Sequence, residues 1–197
     1  MNKIITIIGP SGVGKTVLAQ ALAKTGQFST ALEQHAERPF QTLAKQDSRY
    51  IFANQMDYLL LRAEQEKGLR YTTQKIGLMD GGLDLDFQGF TRLFLNRNLL
   101  SQNEFDLCRR FYLLTRELLP PPELIVRLRT DEETVAGRLS RRKRINIASA
   151  EDTALFNSYL DEWLASASSQ ILELGVTDES IEYPRSVAAI MNTITSW

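Results

Sequence analysis

The sequence predicts an α/β fold with a mainly parallel five-stranded sheet and helices on both of its faces, and two observations support this fold class. Short apolar runs alternate with longer amphipathic runs along the chain, which is typical of parallel strands joined by crossover helices. The first apolar run, residues 4–8, leads straight into a glycine-rich turn and then into a helical pattern. With 197 residues the chain has the length of one such domain, so residues 1–197 are expected to form a single domain.

The predicted strands are short apolar runs, and the predicted helices have apolar residues at helical spacing. Strands are expected at residues 4–8, 28–32, 76–79, 124–128 and 171–176. Helices are expected at residues 16–24, 48–66, 86–97, 101–119, 130–142, 151–165 and 185–194. Ser101 and Glu104 have the spacing of a capping box, and Pro120 ends the helix that they start.

Composition and charge exclude several classes of function. The formal net charge is −1, so no overall field would draw the protein to nucleic acid or to a membrane surface. One cysteine, Cys108, rules out an internal disulfide, and Cys108 and the one histidine, His35, are too few for a zinc site built from such ligands. No uninterrupted apolar stretch is long enough to span a bilayer, and we expect a cytoplasmic protein without membrane or nucleic-acid partners.

A phosphate-binding loop is predicted between the first strand and the first helix. Its residues match the pattern G-x-x-x-x-G-K-[ST] and are Gly9, Pro10, Ser11, Gly12, Val13, Gly14, Lys15 and Thr16. The glycines let successive backbone N–H groups turn toward phosphate oxygens, and the helix adds the positive end of its dipole. Lys15 is placed to contact the β- and γ-phosphates, and the Thr16 hydroxyl to ligate magnesium. ATP and Mg²⁺ are therefore the predicted cofactors.

The rest of the sequence favours a small-molecule kinase over a GTPase. A GTPase carries D-x-x-G and then N/T-K-x-D, whereas here the nearest match to the second pattern, residues 44–47, precedes the nearest match to the first, residues 86–89. Asp80 follows an apolar strand, where P-loop enzymes place an acidic residue that holds magnesium directly or through water. We therefore expect Thr16 and Asp80 to form the metal site.

Six segments, taken in order and spacing, show a family resemblance. They are residues 29–33, 49–62, 90–105, 121–130, 138–144 and 162–164. From Phe28 to Leu164 the chain resembles the bacterial deoxyribonucleoside kinases, with almost no gaps from Asp80 onward. The resemblance implies a three-layer P-loop kinase fold and phosphoryl transfer from ATP to the 5′-hydroxyl of a nucleoside. We also expect a homodimer.

The resemblance implies roles for residues on the acceptor side. Glu33 would be the general base that accepts the proton of the sugar hydroxyl. Arg49 and Gln55 lie on the segment that resembles the base-reading helix of the family, and both are expected to bind substrate. Phe90 matches the aromatic residue that stacks on the base.

An arginine-rich lid is expected at about residues 138–150. Arg138, Arg142 and Arg144 keep the arginine spacing of the family's lid. Together with Lys15, they would neutralise charge on the phosphoryl group during its transfer.

The chain departs from the family pattern immediately after the third strand. The related enzymes carry Asp/Glu-Arg-Ser where residues 80–82 are Asp-Gly-Gly, so an arginine expected close to the transferred phosphoryl group is missing. Two further differences, at residues 34–35 and 145–146, also fall on the acceptor side. Three explanations stay open: Arg62 or a lid arginine replaces the missing guanidinium, the acceptor is unusual, or the kinase is slow. A thymidylate-type nucleoside monophosphate kinase and a nucleotide-binding regulatory module with little turnover remain as alternatives.

Overall fold

A parallel sheet forms the centre of the protein. The computed structural model describes residues 1–31, 38–72, 74–131, 133–135, 137, 152–195 and 197. Among these residues, five strands form one sheet in the order β2-β3-β1-β4-β5, and every pairing is parallel. The strands are β1 (Ile4–Ile8), β2 (Phe28–Ala31), β3 (Ile76–Asp80), β4 (Leu124–Arg129) and β5 (Gln170–Gly175). The predicted five-stranded sheet is confirmed.

Helices connect the strands. They are α1 (Lys15–Ala23), α2 (Pro39–Gln46), a 3₁₀ turn (Ser48–Tyr50), α3 (Ile51–Thr72), α4 (Leu83–Leu85), a π-helical turn (Asp86–Thr91), α5 (Arg92–Asn96), α6 (Gln102–Leu118), α7 (Thr153–Leu164) and α8 (Pro184–Ile194). The predicted capping box at the start of α6 is present, because Ser101 and Glu104 exchange hydrogen bonds. Within the described part of the chain, no helix combines the length and the apolar composition needed to cross a membrane.

The central strand shows why helices cover both faces of the sheet. Successive side chains of a strand point to opposite faces. Ile5 and Ile7 of β1 belong to a core cluster that includes residues of α1 and α8, whereas Ile8 packs with residues of α5 and α7. Ile4 packs with Leu69 of α3. All four isoleucines are fully buried, and the three-layer arrangement follows from this alternation.

Three helical segments differ from the sequence prediction. The helix α2 is not among the predicted helices; it is eight residues long, and none of its residues is buried. The helix α3 ends at Thr72 rather than at residue 66 because its last turns are held by tertiary contacts, with Leu69 and Arg70 both buried. The helix expected at residues 86–97 begins at Leu83 and contains the π-helical turn.

A buried ion-pair cluster joins α3 to α6. Glu66 is 1% exposed and accepts hydrogen bonds from Arg70 on its own helix and from Arg116 on α6. Arg70 also donates to the carbonyl oxygens of Pro120 and Pro121, just before β4. Glu66 therefore pairs with two largely buried guanidinium groups at the junction of two helices and the sheet. Each group also has a second carboxylate 3.2 Å away, that of Glu123 for Arg70 and that of Asp84 for Arg116.

We expect Glu66→Ala to lower the free energy of unfolding by about 3–5 kcal/mol, because it leaves Arg70 and Arg116 without their shared anion. For a chain of this size, that loss corresponds to a fall in Tm of roughly 6–20 °C. Thermal unfolding followed by circular dichroism measures the effect. The matched control is Glu64→Ala on the exposed face of the same helix, which should stay within about 0.5 kcal/mol of the wild type. Equal losses in the two variants would contradict a role for the cluster.

Candidate active site

The phosphate loop joins the end of β1 to α1 and turns through three glycines of positive φ. The φ angle is 143° at Gly9, 85° at Gly12 and 116° at Gly14. A Cβ atom at Gly9 would lie 2.9 Å from the carbonyl oxygen of Leu128 on β4, so the close approach of that strand also requires glycine there. Among the described residues, no side chain caps the first turn of α1. The helix therefore directs the positive end of its dipole into the loop.

The structure brings Lys15, Thr16 and Asp80 to this loop. The Lys15 ammonium donates to the carbonyl oxygens of Gly9 at 2.9 Å and of Pro10 at 3.0 Å. The Thr16 hydroxyl donates to Asp80 Oδ2 at 2.5 Å. The carboxylate of Asp80 lies beside the loop because β3 neighbours β1, with Asp80 in register with Ile7.

The oxygen atoms of Thr16 and Asp80 are suited to hold Mg²⁺. Asp80 is 1% exposed, and its Oδ1 atom is buried without a hydrogen-bond partner in the described part of the chain. A buried carboxylate oxygen is costly unless a donor or a cation satisfies it. The described residues contain no cluster of three or more Asp, Glu, His or Cys side chains, and Mg²⁺ is commonly bound by one or two protein oxygens together with phosphates and water.

Polar side chains from α3 meet the π-helical turn that follows β3. Gln55 is 3% exposed, and its amide nitrogen donates to the carbonyl oxygen of Asp86 at 3.1 Å and to the Thr91 hydroxyl at 2.9 Å. Arg62, two turns further along α3, donates through Nε to Asp86 Oδ2 at 2.9 Å. Arg62 and Asp86 are both buried. The side chains of Gln55, Arg62 and Asp86 therefore form a buried polar group. Because π-helical turns frequently occur at functional sites, this group is a candidate binding site.

Polar contacts also join the segment that follows β3 to α6. Asp84 accepts a hydrogen bond from the Tyr112 hydroxyl at 2.8 Å, and its carboxylate lies 3.2 Å from Arg116 Nε. Burial raises the pKa of Asp84, and the positive charge of Arg116 opposes that shift. Burial also raises the pKa of Tyr112, which keeps its hydroxyl protonated as a donor. The residues that follow β3 are therefore fixed from two sides.

The structure places the two remaining substrate candidates differently. Phe90 is half-buried and packs against the core, with its ring centroid 4.9 Å from that of Phe156 and 6.4 Å from that of Phe94. The Arg49 side chain is 85% exposed and pairs with Asp47 on the preceding turn. The structure does not bring Arg49 into contact with Gln55, and both substrate roles stay predictions.

Four predicted catalytic residues lie outside the described residues. They are Glu33, Arg138, Arg142 and Arg144, and the lid expected at residues 138–150 lies there too. The strand that precedes Glu33, β2, pairs with β3 and places Ala31 in register with Met79. The roles of these four residues therefore remain predictions from the sequence.

Comparison with known proteins identifies the family to which this arrangement belongs. The family model described as deoxynucleoside kinase matches residues 5–196, nearly the whole chain. The chain belongs to the deoxynucleoside kinase family. Like other deoxynucleoside kinases, the enzyme phosphorylates a nucleoside with a donor of the ATP type. The predicted family and activity are confirmed, and neither the thymidylate-type alternative nor the regulatory one is supported.

Individual deoxynucleoside kinases show how far the similarity extends. The chain is 25% identical over 146 residues to the deoxyadenosine/deoxycytidine kinase of Bacillus subtilis, a match covering 73% of this chain and 67% of that protein. The structure of deoxyadenosine kinase from M. mycoides with bound dCTP superposes with a TM-score of 0.79 at 20% identity and covers 98% of this chain and 100% of that chain. The same kinase with bound dATP gives a TM-score of 0.76 at 20% identity, covering 97% and 98%. These structures confirm the P-loop kinase fold.

One residue of the buried polar group, Asp86, has no predicted role in this deoxynucleoside kinase. In the sequence it stands out only as the first residue of a D-x-x-G match, whereas in the structure it pairs with Arg62 in the interior. A signal for Arg62 was available, because it lies seven residues after Gln55 and therefore on the same face of α3. No such signal pointed to Asp86, which belongs to a different segment of the chain.

The position of Arg62 also bears on the departure from the family pattern at residue 81. Gly81 has a φ of 79°, a conformation that side chains disfavour. A Cβ atom on Gly81 would lie 3.3 Å from Arg62 Nη2 and 3.6 Å from Leu85 Cδ2. In this deoxynucleoside kinase, the guanidinium beside position 81 thus comes from α3, and a Cβ atom at position 81 would make a tight contact with it.

Proposed function

We propose that the enzyme transfers the γ-phosphoryl group of ATP to the 5′-hydroxyl of deoxyadenosine or deoxycytidine, with Mg²⁺ bound to the nucleotide. The observation that carries this proposal is the position of Asp80, Gly81 and the π-helical turn. They follow one another along the chain and link the phosphate loop to the buried polar group of Gln55, Arg62 and Asp86. A donor site and a candidate base site therefore lie at the two ends of one short segment.

On the donor side, the loop residues would bind the triphosphate. The backbone of residues 9–14 and the start of α1 favour anionic oxygens, and the Lys15 ammonium would exchange its carbonyl partners for the β- and γ-phosphates. Thr16 and Asp80 would hold Mg²⁺, which supplies charge neutralisation for the phosphates when it is bound.

On the acceptor side, the proposal of adenine or cytosine rests on hydrogen-bonding chemistry. Each of these bases presents a ring-nitrogen acceptor next to an exocyclic amino donor. The Gln55 amide can match such an edge by exchanging its present partners, and the Asp86 carboxylate can accept from an amino group. The Bacillus subtilis relative is named for both nucleosides, and the M. mycoides kinase is named for deoxyadenosine and has a structure with bound dCTP. Phe90 would stack on the ring, and Arg49 would approach from the exposed turn before α3.

The chemical step needs a base for the 5′-hydroxyl proton. In the proposed mechanism Glu33 accepts that proton while the 5′-oxygen forms a bond to the γ-phosphorus and the bond to the bridging β,γ-oxygen breaks, which releases ADP. Arg138, Arg142 and Arg144 would close over the phosphates as part of the lid and stabilise the charge in the transition state.

A release assay for ADP tests the function directly. The purified chain is incubated with ATP and Mg²⁺ and each of the four deoxynucleosides, with the corresponding monophosphates as controls. We expect turnover with deoxyadenosine and deoxycytidine, little with thymidine, and a loss of activity when EDTA removes the metal. Turnover confined to a monophosphate such as dTMP would contradict the proposal in favour of a nucleotide kinase, and no turnover with any acceptor would favour a regulatory module.

We further propose that the enzyme is a homodimer that associates through α6. Leu107, Leu114 and Leu118 are 44%, 56% and 69% exposed and lie on one stripe of this helix, separate from its buried residues. The neighbouring helix α3 exposes Leu60 and Tyr71 as well. An exposed leucine stripe of this kind on a long helix suits the same stripe of a second copy.

Light scattering coupled to size-exclusion chromatography should give the mass of a dimer for the wild type. A charge in the centre of the stripe, Leu114→Glu, should produce the monomer, because it would bury an unpaired carboxylate in the interface. Ile181→Glu places the same charge on another exposed apolar residue, 79% exposed and outside α6, and should stay dimeric. A monomeric wild type at micromolar concentration would rule out this assembly.

A further inference from the structure

Asp84 is a buried carboxylate that the proposed mechanism does not use. It is 4% exposed and lies between the proposed metal-binding Asp80 and the π-helical turn, two residues before Asp86. Two side chains of α6 contact one of its oxygen atoms, Oδ1. This atom accepts a hydrogen bond from the Tyr112 hydroxyl at 2.8 Å and lies 3.2 Å from Arg116 Nε. Asp84 therefore connects α6 to the segment that carries both ends of the proposed site.

The charge of Asp84 is not required to neutralise Arg116. The Arg116 guanidinium already donates to both carboxylate oxygens of Glu66. Burial raises the pKa of Asp84, the charge of Arg116 opposes that shift, and the charge of Glu66 adds to it. Taking a further carboxylate out of water beside a cation that is already paired costs stability. We therefore expect Asp84 to contribute to the orientation of its segment rather than to the stability of the fold.

Two glycines precede the helical turn that contains Asp84. Gly81 and Gly82 have φ angles of 79° and 151°, which glycine reaches at little steric cost. The Gly81 N–H donates to the carbonyl oxygen of Ile7 at 2.9 Å, which fixes the start of the pair next to β1. A glycine pair allows many directions for the chain that follows it. Contacts with other elements must therefore fix the direction of α4 and of the π-helical turn.

We propose that Tyr112 and Asp84 are positioning residues for the nucleoside, and that their hydrogen bond orients the π-helical turn for binding it. The inference rests on the proposed function, because that function places the base at Gln55 and Asp86. Tyr112 contacts the segment in two ways. Its hydroxyl donates to Asp84, and its ring stacks on Phe87 with the centroids 4.3 Å apart and the planes 9° from parallel. Thus α6 holds the turn while Gln55 of α3 donates to the carbonyl oxygen of Asp86.

This role predicts a loss of nucleoside affinity rather than a loss of chemistry. A turn that samples several orientations presents its base-binding groups correctly for only a fraction of the time, and the apparent affinity falls by that fraction. Lys15 and the pair formed by Thr16 and Asp80 are held by contacts of their own. ATP binding, and kcat at saturating nucleoside, should therefore change little.

The first test is Tyr112→Phe, which removes one hydroxyl group and keeps the ring that stacks on Phe87. Steady-state kinetics should show KM raised about 10-fold for deoxyadenosine and for deoxycytidine, as expected for the loss of a hydrogen bond to a carboxylate. The kcat and the KM for ATP should stay within about twofold of the wild-type values. The matched control is Tyr71→Phe, which removes the hydroxyl of a 58% exposed tyrosine on α3 and should leave all these values unchanged.

The second test separates orientation from stability. Asp84→Asn keeps an oxygen that can accept from Tyr112, so its nucleoside KM should stay within about threefold of the wild-type value. The double variant Asp84→Leu with Tyr112→Phe replaces both polar partners by apolar groups of similar size, a change that is often neutral or stabilising. Its Tm should be no lower than that of Tyr112→Phe, while its nucleoside KM stays raised at least about 10-fold. A purely structural role would change Tm and leave KM as it is in the wild type.

The outcomes separate this inference from the proposed function. If the wild type phosphorylates neither nucleoside, the proposed function fails and the inference fails with it. Where the wild type is active, three results overturn the inference alone: an unchanged nucleoside KM for Tyr112→Phe, a loss confined to kcat, or a nucleoside KM for Asp84→Asn raised as far as that of Tyr112→Phe. If the double variant does not fold, the two single variants, Tyr112→Phe and Asp84→Asn, decide the question.

Discussion

Lys15→Ala is expected to remove most phosphoryl transfer, with a loss in kcat of at least about 10²- to 10³-fold. In the structure the ammonium is held over the phosphate loop by two carbonyl oxygens, in position to engage the β- and γ-phosphates. Alanine removes the charge on which both the ground state and the transition state depend. ADP release with deoxyadenosine or deoxycytidine as acceptor measures the loss.

The control for Lys15 comes from the other end of the same helix. Lys24 follows α1 and is exposed, so Lys24→Ala makes the same change of residue type without touching the loop. It should keep the wild-type rate, and both variants should unfold at temperatures close to that of the wild type. Turnover of Lys15→Ala near the wild-type level would show that the nucleotide binds elsewhere.

Glu33→Gln is expected to lower kcat by about 10²- to 10⁴-fold, the usual contribution of a general base. The amide keeps the size of the side chain and can form hydrogen bonds, but it cannot accept the 5′-hydroxyl proton. Titration with a non-hydrolysable ATP analogue should give nearly the same Kd as for the wild type, because the change lies on the acceptor side. An unchanged kcat for Glu33→Gln with either nucleoside would remove Glu33 from the mechanism.

These two predictions depend on the sequence to different degrees. Lys15 was recognised from its own neighbours in the chain, and the structure then placed it over the loop. Glu33 was recognised through the family resemblance and lies outside the described residues, so its role rests on that resemblance alone. Arg49 was recognised in the same way, but its side chain is exposed and paired with Asp47. Resemblance along one segment predicts where a residue lies in the chain, and it does not determine which partners the side chain finds.

The sequence alone determined the features that depend on neighbouring residues. The order of strands and helices follows from apolar periodicity, and the phosphate loop follows from eight consecutive residues between a strand and a helix. Asp80 is predicted to hold the metal because P-loop enzymes place an acidic residue after an apolar strand, and this role stays a prediction. These features involve residues that are close together in the sequence. Over such short separations, the backbone geometry of a strand, turn or helix fixes where each residue lies relative to its neighbours.

Only the tertiary structure decided how Arg62, Gly81 and Asp86 are arranged. Arg62 lies 24 positions before Asp86 along the chain, and the two meet because α3 packs beside the segment that follows β3. In the sequence, Gly81 stands where the related enzymes carry an arginine. In the structure, the guanidinium group of Arg62 lies beside Gly81. A contact between distant segments depends on how the whole core packs, so it cannot be predicted from either segment alone.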